Sequence, residues 1–324
     1  MDITTLKRNY NTNFKNLLNY VNSIIYRIRS MRLPYYVKKY YINLYKNYFK
    51  NQHKTLNNNY HTSLIALLNP GEINITKNKR ALLIGINYIG TTNELNGCIN
   101  DTESINNVLK NTYGFEDINI NTITDMTKQK PTREIILDSF KSFLESGKEG
   151  DLLFFSYSGH GSSTYDRNND ENDGKDEMIV TSDLRGILDD ELKSLVQLHL
   201  KKGVTLFALF DCCFSGTVLD LKYQYLDNLE NNTFTEDNND EETNSNVIMI
   251  SGCNDNQTSA DAYMEKKYQG AMTWAFLNAL NSNKNLSWKE LLIDMRDKLK
   301  ESTFTQLPQL SSGRVIDINK GVCF

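Results

Sequence analysis

The sequence has 324 residues, of which 39% are hydrophobic and 23% charged, with a formal net charge of −4. These values are ordinary for a globular protein and leave room for one large or two modest domains. The five cysteines are scattered and odd in number, which argues against a disulfide framework or a zinc site. No apolar run has the length of a membrane span, and the N-terminus lacks the apolar core of a signal peptide. We therefore expect a cytoplasmic protein.

Charge is distributed unevenly along the chain. Residues 1–70 contain eleven Lys and Arg but one acid, so they carry about +10 and the remainder about −14. Such a basic arm could dock onto its own acidic domain, remain a solvated tail, or bind an external polyanion. We favour docking within the chain, and expect a monomer that binds neither nucleic acid nor membrane.

The Tyr- and Asn-rich arm, taken as residues 1–76, is predicted to be helical. Apolar side chains recur at helical spacing over 14–31, and Pro34 ends that pattern. A second helix is expected over about 37–50 and a loop over 51–63. Pro70-Gly71 then marks the approach to the main domain, residues 77–324.

Strands and helices alternate in the main domain. Strands are predicted over 80–88, 120–125, 151–159, 204–212, 247–253 and 313–318, and helices over 98–111, 131–146, 189–202, 273–280 and 287–299. The acidic, Asn-rich stretch 227–246 is expected to be an exposed linker. The alternation predicts an α/β fold whose mostly parallel sheet is flanked by helices.

Two apolar segments of strand length end in small polar turns. FFSYSGHGSS (154–163) presents His160 between two glycines, and TLFALFDCCFSGT (205–217) presents Cys212 and Cys213. Because chemistry gathers beyond the carboxyl ends of parallel strands, the two turns can bring a base and a thiol together. His160 could instead pack in a core, but flanking glycines favour close approach of a substrate backbone.

Four motifs in their order along the chain resemble the metacaspases, cysteine peptidases of the caspase-hemoglobinase fold. They are YSGHG (157–161), DGKDE with ILDDEL (173–177, 187–192), DCCFSGT (211–217), and SGCNDNQTSADA with GAMTWAF (251–262, 270–276). The resemblance covers about 80–320 and implies a three-layer αβα architecture. The arm matches no family pattern.

The resemblance implies a catalytic dyad of His160 as general base and Cys213 as nucleophile. Cys212 competes for the second role, but it holds a position often taken by a small residue, and strand alternation would turn the two thiols in opposite directions. The N–H groups of Gly161 and Cys213 are implied as an oxyanion hole. Phe214 stands where the family commonly has His, which affects contacts on the leaving-group side without removing the dyad.

A pocket for the residue before the cut, P1, is implied at Cys98, Asp101, Ser158 and Asp211. Two carboxylates in a partly desolvated pocket favour Lys or Arg and repel Asp. The alternatives are a helix cap for Asp101 and a strand-end turn for Asp211.

Calcium is the cofactor that the resemblance implies. Asp176, Asp189, Asp190 and Asp220 match the family's Ca²⁺ positions, and carboxylate oxygens from several segments suit that ion. Asp189 and Asp190 could otherwise cap a helix, and the acidic loop before Asp176 could be solvated. A bound ion would order that loop rather than take part in bond cleavage.

These expectations combine into a calcium-stimulated cysteine endopeptidase, a zymogen regulated by its arm, that cuts protein or peptide substrates after Lys or Arg. A caspase-like peptidase with another P1 preference is one alternative. A catalytically idle caspase-fold protein that acts by protein interaction is the other.

Overall fold

The computed structural model describes residues 2–68, 78–165, 175–213, 218–225, 234–237, 241–252, 261–264, 267–283, 285–322 and 324. Contacts divide the chain into two units, one built mainly from the arm and the other from the main domain. The expected boundary at residues 76 and 77 lies outside the described residues and stays a prediction.

The arm is a hairpin of two long helices, α1 (Ile3–Ser30) and α2 (Tyr35–Leu68). Tyr10 packs on Tyr60 at a ring distance of 4.6 Å, and Phe14 on His53 at 4.9 Å. The expected helical arm is thus confirmed, but the expected loop over 51–63 is wrong. These aromatic contacts hold the Asn-rich stretch in α2, because tertiary packing overrides weak helix propensity. Among the described residues, no helix is long and apolar enough to cross a membrane.

The main domain is a mixed α/β structure around one large sheet. Its described strands are β1 (Lys79–Gly85), β2 (Ile120–Thr124), β3 (Leu152–Ser158), β4 (Gly161–Tyr165), β5 (Lys175–Val180), β6 (Gly186–Leu188), β7 (Thr205–Asp211), β8 (Tyr223–Tyr225), β9 (Thr235–Glu236), β10 (Asn246–Ser251), β11 (Asp261–Met264), β12 (Lys267–Gly270) and β13 (Gln309–Ser312). Its described α-helices are α3 (Cys98–Asn111), α4 (Arg133–Ser146), α5 (Asp189–His199), α6 (Ala271–Ser282) and α7 (Trp288–Glu301), and a 3-10 turn covers Asp117–Asn119.

The large sheet has the strand order β2-β1-β3-β7-β10-β13-β8-β9. The pairings from β2 to β10 are parallel, and the last three strands join in antiparallel fashion. Every residue of β3 and β7 is buried, which explains their continuous apolar sequences. The expected α/β fold with a mostly parallel sheet is confirmed.

Helices cover both faces of this sheet. On one face Phe155 packs on Phe140 of α4 at a ring distance of 4.8 Å, within a buried cluster that also includes residues of α5. On the other face Phe154, the preceding residue of β3, packs on Phe207 and on Phe324, at 5.2 and 5.6 Å, and Phe207 packs on Phe276 of α6 at 5.9 Å. Alternate side chains of β3 thus supply both cores, which gives the three layers.

Three expectations about smaller elements are corrected. The closing strand is Gln309–Ser312 rather than 313–318, and it pairs antiparallel with β10 through Leu310. The stretch 227–246 is not all exposed linker, because Thr235–Glu236 forms an edge strand and Ser245 is buried. The sheet β4-β5-β6 and the hairpin β11-β12 are not among the predicted elements. Their strands have only three to six residues, which is too few for a clear periodic pattern.

Candidate active site

His160 lies in the turn between β3 and β4, at the carboxyl edge of the sheet. Its Nε2 donates to the carbonyl oxygen of Asn93 at 2.8 Å. That bond fixes the ring orientation and leaves Nδ1 for a second partner. A base held by a third group is the arrangement that nucleophilic catalysis requires.

Two buried tyrosines hold the backbone of this turn. The His160 N–H donates to Tyr88 Oη at 2.8 Å, and Tyr88 Oη in turn donates to the Val180 carbonyl at 2.7 Å. Tyr157 Oη lies 2.8 Å from the His160 carbonyl oxygen, to which it donates. Burial raises the pKa of Tyr88, so its hydroxyl stays protonated and can donate.

Tyr88 occupies an unusual conformation for a residue with a side chain. Its φ is +51°, in the left-handed region, and its side chain is 1% exposed. The phenol ring lies 4.7 Å from the imidazole of His160, measured between ring centroids. A left-handed backbone at a residue other than glycine costs of order 1–3 kcal/mol and persists where the surroundings fix the residue. The hydrogen bonds of Tyr88 with the His160 N–H and the Val180 carbonyl fix it here.

The two adjacent cysteines differ in exposure. Cys212 is fully buried in the core that faces α4 and α5, whereas Cys213 is partly exposed. Strand β7 ends at Asp211, one residue before the expected end, so both cysteines belong to the following turn and strand alternation does not set their directions. Phe214 lies outside the described residues.

Gly161 meets the backbone of Cys213. A side chain at position 161 would collide with the Cys213 carbonyl group. Close approach without a Cβ is a use to which glycine is suited. The turn of His160 and the turn of Cys213 therefore lie against each other, as the motif positions predicted.

The acids predicted for the P1 pocket meet at the N-terminus of α6. Asp101 accepts from Ser158 Oγ at 2.6 Å and from the Gly270 N–H at 3.0 and 3.1 Å. Asp211 Oδ2 accepts from the Thr273 N–H at 2.8 Å. A side chain at Gly270 would collide with both carboxylates.

All four residues of the predicted pocket are buried: Cys98, Asp101, Ser158 and Asp211. Asp101 accepts hydrogen bonds from Ser158 of β3 and from Gly270 at the start of α6, and the N-cap residue of α3 is Gly97. The N–H groups at the start of α6 donate hydrogen bonds to both buried carboxylates.

Three of the four predicted calcium ligands come together. The carboxylate oxygens of Asp189, Asp190 and Asp220 lie within 4.8 Å of one another. Lys193 Nζ lies 3.6 Å from Asp220 Oδ2. Asp176 is buried on β5, outside this group. Hard carboxylate oxygens at this spacing fit the coordination radius of Ca²⁺.

Asp189 is the buried member of the carboxylate group. Its oxygens accept from the Glu177 and Asp190 N–H groups at 2.6 and 2.7 Å. Burial, together with the charges of Asp190 and Asp176, nevertheless raises the pKa of Asp189 to about 6. The backbone bonds therefore do not compensate fully, and a cation would.

Sequence reasoning missed the residues that hold the site. Tyr88, Tyr157, Asn93, Gly270 and Thr273 each make a contact described above, and none was singled out. The motif GAMTWAF contains Gly270 and Thr273, and the motif YSGHG begins at Tyr157, so three of these residues lie in motifs named above. The contact of Tyr88 with His160 spans 72 residues and has no local pattern.

Comparisons with known proteins identify the family to which this chain belongs. Residues 79–222 match the family described as metacaspase, peptidase C14 domain, and every predicted site residue lies in that range. Metacaspase-1 of Kluyveromyces lactis is 37% identical over 295 residues, with 75% of this chain and 68% of that protein covered. Metacaspase-1A of Neurospora crassa is 36% identical over 296 residues, with 76% and 65% covered.

A solved structure agrees as well. Protein GSU0716 from Geobacter sulfurreducens is 26% identical, with a TM-score of 0.56 over 75% of this chain and 97% of that one. The fold and the family match define a cysteine-type peptidase. This chain belongs to the metacaspases, a family of cysteine peptidases, and it spans about two thirds of the length of the two relatives.

Replacing Tyr88 by Phe should lower kcat about tenfold with little change in KM. The variant keeps the ring beside His160 but removes the hydroxyl that holds the His160 N–H and the Val180 carbonyl, a loss of about 1–3 kcal/mol. Steady-state kinetics on a peptide substrate measures both constants.

Tyr165→Phe is the matched control, because Tyr165 is exposed on β4 and should tolerate the change. A Tyr88→Phe enzyme with lowered thermal stability and unchanged kcat would show that Tyr88 supports the fold without positioning His160.

Proposed function

We propose that this chain is an endopeptidase that cuts after Lys or Arg with His160 and Cys213, is stimulated by Ca²⁺ and is restrained by its arm. The observation that carries the proposal is the contact of Gly161 with the Cys213 backbone. It joins the two turns, and Cys213 is partly exposed while Cys212 is buried.

Cys213 serves as the nucleophile, and His160 transfers the protons in each step. His160 takes the proton of the Cys213 thiol, and the thiolate attacks the scissile carbonyl. The N–H groups of Gly161 and Cys213 donate hydrogen bonds to the negative oxygen of the tetrahedral intermediate. That intermediate collapses to a thioester while His160 returns the proton to the leaving amine. Water activated by His160 then hydrolyses the thioester and restores the thiol.

Specificity for Lys or Arg is supported by the two acids at the start of α6. Asp101 and Asp211 concentrate negative charge beside the β3 and β7 ends that carry the dyad. A cationic P1 side chain gains charge-assisted hydrogen bonds there, and an Asp side chain would be repelled.

Asp189, Asp190 and Asp220 would hold calcium, with Asp176 adding negative charge nearby. When bound, the ion would neutralise these carboxylates and tie α5 to β5, through the Asp189 bond to the Glu177 N–H. The chain's own residues perform the cleavage. The ion would order the acidic loop before Asp176, beside the substrate groove.

Charge supports regulation by the arm and a zymogen that processes itself. A positive arm of about +10 and a remainder of about −14 attract each other, although salt limits the range to about 8 Å. The same Lys and Arg residues are substrates for a pocket that accepts basic P1 residues. A cytoplasmic monomer acting on proteins or peptides fits this arrangement.

Replacing Cys213 or His160 by Ala should abolish peptidase activity, because each removes one half of the dyad. Cys212→Ala is the matched control on the neighbouring thiol, and it should retain most activity with some loss of stability because Cys212 is buried. Labelling by an arginyl electrophile and peptide turnover give the readouts.

An inactive Cys212→Ala with an active Cys213→Ala would reverse the assignment of the nucleophile. A wild-type enzyme that neither cleaves nor reacts would instead favour an idle interaction protein.

Replacing Asp211 by Asn should lower turnover of Arg-P1 and Lys-P1 peptides about tenfold to a hundredfold, because one charge-assisted contact is lost. The Asn side-chain oxygen can still accept from the Thr273 N–H, so α6 should remain in place. A peptide library measures the P1 profile, and thermal unfolding checks the fold.

Efficient cutting of Asp-P1 peptides by the wild type would contradict the basic specificity. Loss of thermal stability with an unchanged profile would assign Asp211 to anchoring α6.

Replacing Asp189 by Asn should flatten the pH dependence of stability in metal-free protein and remove stabilisation by Ca²⁺. The pKa of Asp189 is raised to about 6, so the folded state binds its proton more tightly than the unfolded state. The contribution of Asp189 to stability should therefore fall as pH rises from about 4 to about 7, by up to about 3 kcal/mol, and the difference in stability between wild type and Asp189→Asn should follow it. Urea unfolding with EGTA or Ca²⁺ measures both effects.

Asp117→Asn, at an exposed carboxylate, is the control and should leave both behaviours unchanged. Equal stabilisation of wild type and Asp189→Asn by Ca²⁺ would place the ion elsewhere.

Ca²⁺ should cause the enzyme to cut its arm and to leave the stretch 227–246 intact. The arm offers Arg27, Arg29, Arg32 and the pair Lys38-Lys39, whereas 227–246 contains no Lys or Arg. Mass spectrometry of new termini gives the readout, with Cys213→Ala as the control that should stay whole. Cuts within 227–246, or an arm whose removal leaves activity unchanged, would contradict arm regulation.

A further inference from the structure

The turn between α1 and α2 carries exposed apolar and aromatic side chains at the far end of the arm. We call residues 26–41 the tip. Tyr26, Tyr35 and Tyr36 are 73–79% exposed, and Met31 and Leu33 at the apex are 49% and 39% exposed. The helix α1 has 28 residues, so the apex lies about 40 Å along the helix from Ile3.

The pairing of the helices places the tip at one end of the arm. Tyr10 contacts Tyr60, Phe14 contacts His53, and Tyr20 contacts Tyr48, so α1 and α2 run antiparallel. Leu6, Val21, Ile28 and Leu64 are buried, whereas Tyr20, Leu44 and Tyr48 along the paired helices stay 42–53% exposed. Tyr26, Tyr35 and Tyr36 in the tip are the most exposed of the described tyrosines of the arm, at 73–79%.

Hydrogen bonds order the turn itself. The Met31 N–H donates to the Arg27 carbonyl at 3.2 Å, and the Leu33 N–H to the Met31 carbonyl at 3.0 Å. Lys38 Nζ donates to the Arg29 carbonyl at 2.9 Å and so links the two helices. The tip therefore presents a defined surface.

Positive charge surrounds the apolar apex. Arg27, Arg29, Arg32 and Lys39 are exposed, and Lys38 is half-buried. Asp2 is the one acid in residues 1–71, and it caps the opposite end of α1, where it accepts from the Thr5 N–H. No carboxylate of the arm is therefore near enough to neutralise the tip.

We propose that the tip docks on the surface of a membrane that contains anionic lipids. Tyr, Met and Leu side chains suit the boundary between headgroups and acyl chains, and Arg and Lys attract anionic headgroups. The tip would lie in the interface without crossing the bilayer. A nucleic acid would use the basic and aromatic residues but would gain little from Met31 and Leu33 at the apex.

This inference departs from the expectation of no membrane partner. That expectation rested on the charge of the arm alone, whereas the apolar apex within the charge is a feature of the folded hairpin. It rests on the arm and does not depend on the proposed peptidase activity.

Vesicle co-sedimentation tests the proposal with the full chain carrying Cys213→Ala, which prevents cleavage of the arm. The protein should bind phosphatidylcholine vesicles that contain a third phosphatidylserine, and should not bind phosphatidylcholine alone. Replacing Arg27, Arg29, Arg32 and Lys39 by Gln should weaken binding about a hundredfold or more, since each basic residue contributes roughly fivefold. Added salt should weaken binding of the parent protein.

Two further variants separate the apex from general charge. Leu33→Ser with Tyr35→Ser and Tyr36→Ser keeps the charge and should weaken binding about tenfold. Lys7, Arg8, Lys15 and Lys50, which are exposed on the arm outside the tip, form the charge-matched control when replaced by Gln. That control should lose less than tenfold, and circular dichroism should show unchanged helix content in every variant.

Equal losses in the two Gln variants would overturn the proposal, because the arm would then act as a general polycation. An unchanged affinity of the Ser variant would overturn it too, as would tighter binding to a DNA duplex than to anionic vesicles.

Discussion

The parallel pairing of β3 with β7 is the constraint on which the site depends. The register places Ser158 beside Asp211, so the two strands end at the same level of the sheet. The turns that follow carry His160 and Cys213, and the missing side chain of Gly161 lets them touch. Tyr88, which follows β1 on the other side of β3, completes the support by holding the His160 N–H. A shift of the register by one residue would separate these groups and also exchange the faces of every core side chain.

Two groups of buried or partly buried carboxylates in the main domain differ in how their negative charge is stabilised. Asp101 and Asp211 accept hydrogen bonds from N–H groups at the start of α6. The first N–H groups of a helix have no acceptor within the helix, so they are available to these carboxylates. Asp189 also receives two N–H groups, but Asp190 and Asp176 lie near it and keep its pKa raised. The N–H groups at the start of α6 offset part of the charge of the first pair. In the second group, Lys193 Nζ lies 3.6 Å from Asp220 Oδ2 beside three carboxylates. We propose a substrate cation at the first site and Ca²⁺ at the second.

The positive charge of the arm is the basis of two proposals, restraint of the peptidase and docking on a lipid surface. Restraint of the peptidase needs the arm against the acidic remainder of the chain, and docking on a lipid surface needs the tip free. An anionic membrane would therefore compete with restraint, and binding there would favour the released enzyme. Cleavage within the tip would separate the peptidase from the surface. The exposed Tyr, Met and Leu side chains of the tip would add burial of apolar surface to the electrostatic attraction for a lipid partner.

The sequence by itself determined the alternating strands and helices, because buried strands and amphipathic helices leave a local apolar pattern; α3 over 98–111 is an example. It also determined that a His turn and a Cys turn follow two such strands. Only the tertiary structure decided that residues 51–63 continue α2, that β13 precedes rather than follows Gly313, and that Gly270 joins Asp101 to Asp211. Only the folded hairpin gathers Tyr26, Met31 and Tyr36 at one end. These features come from contacts between residues distant in sequence, and such contacts leave no periodicity in the chain.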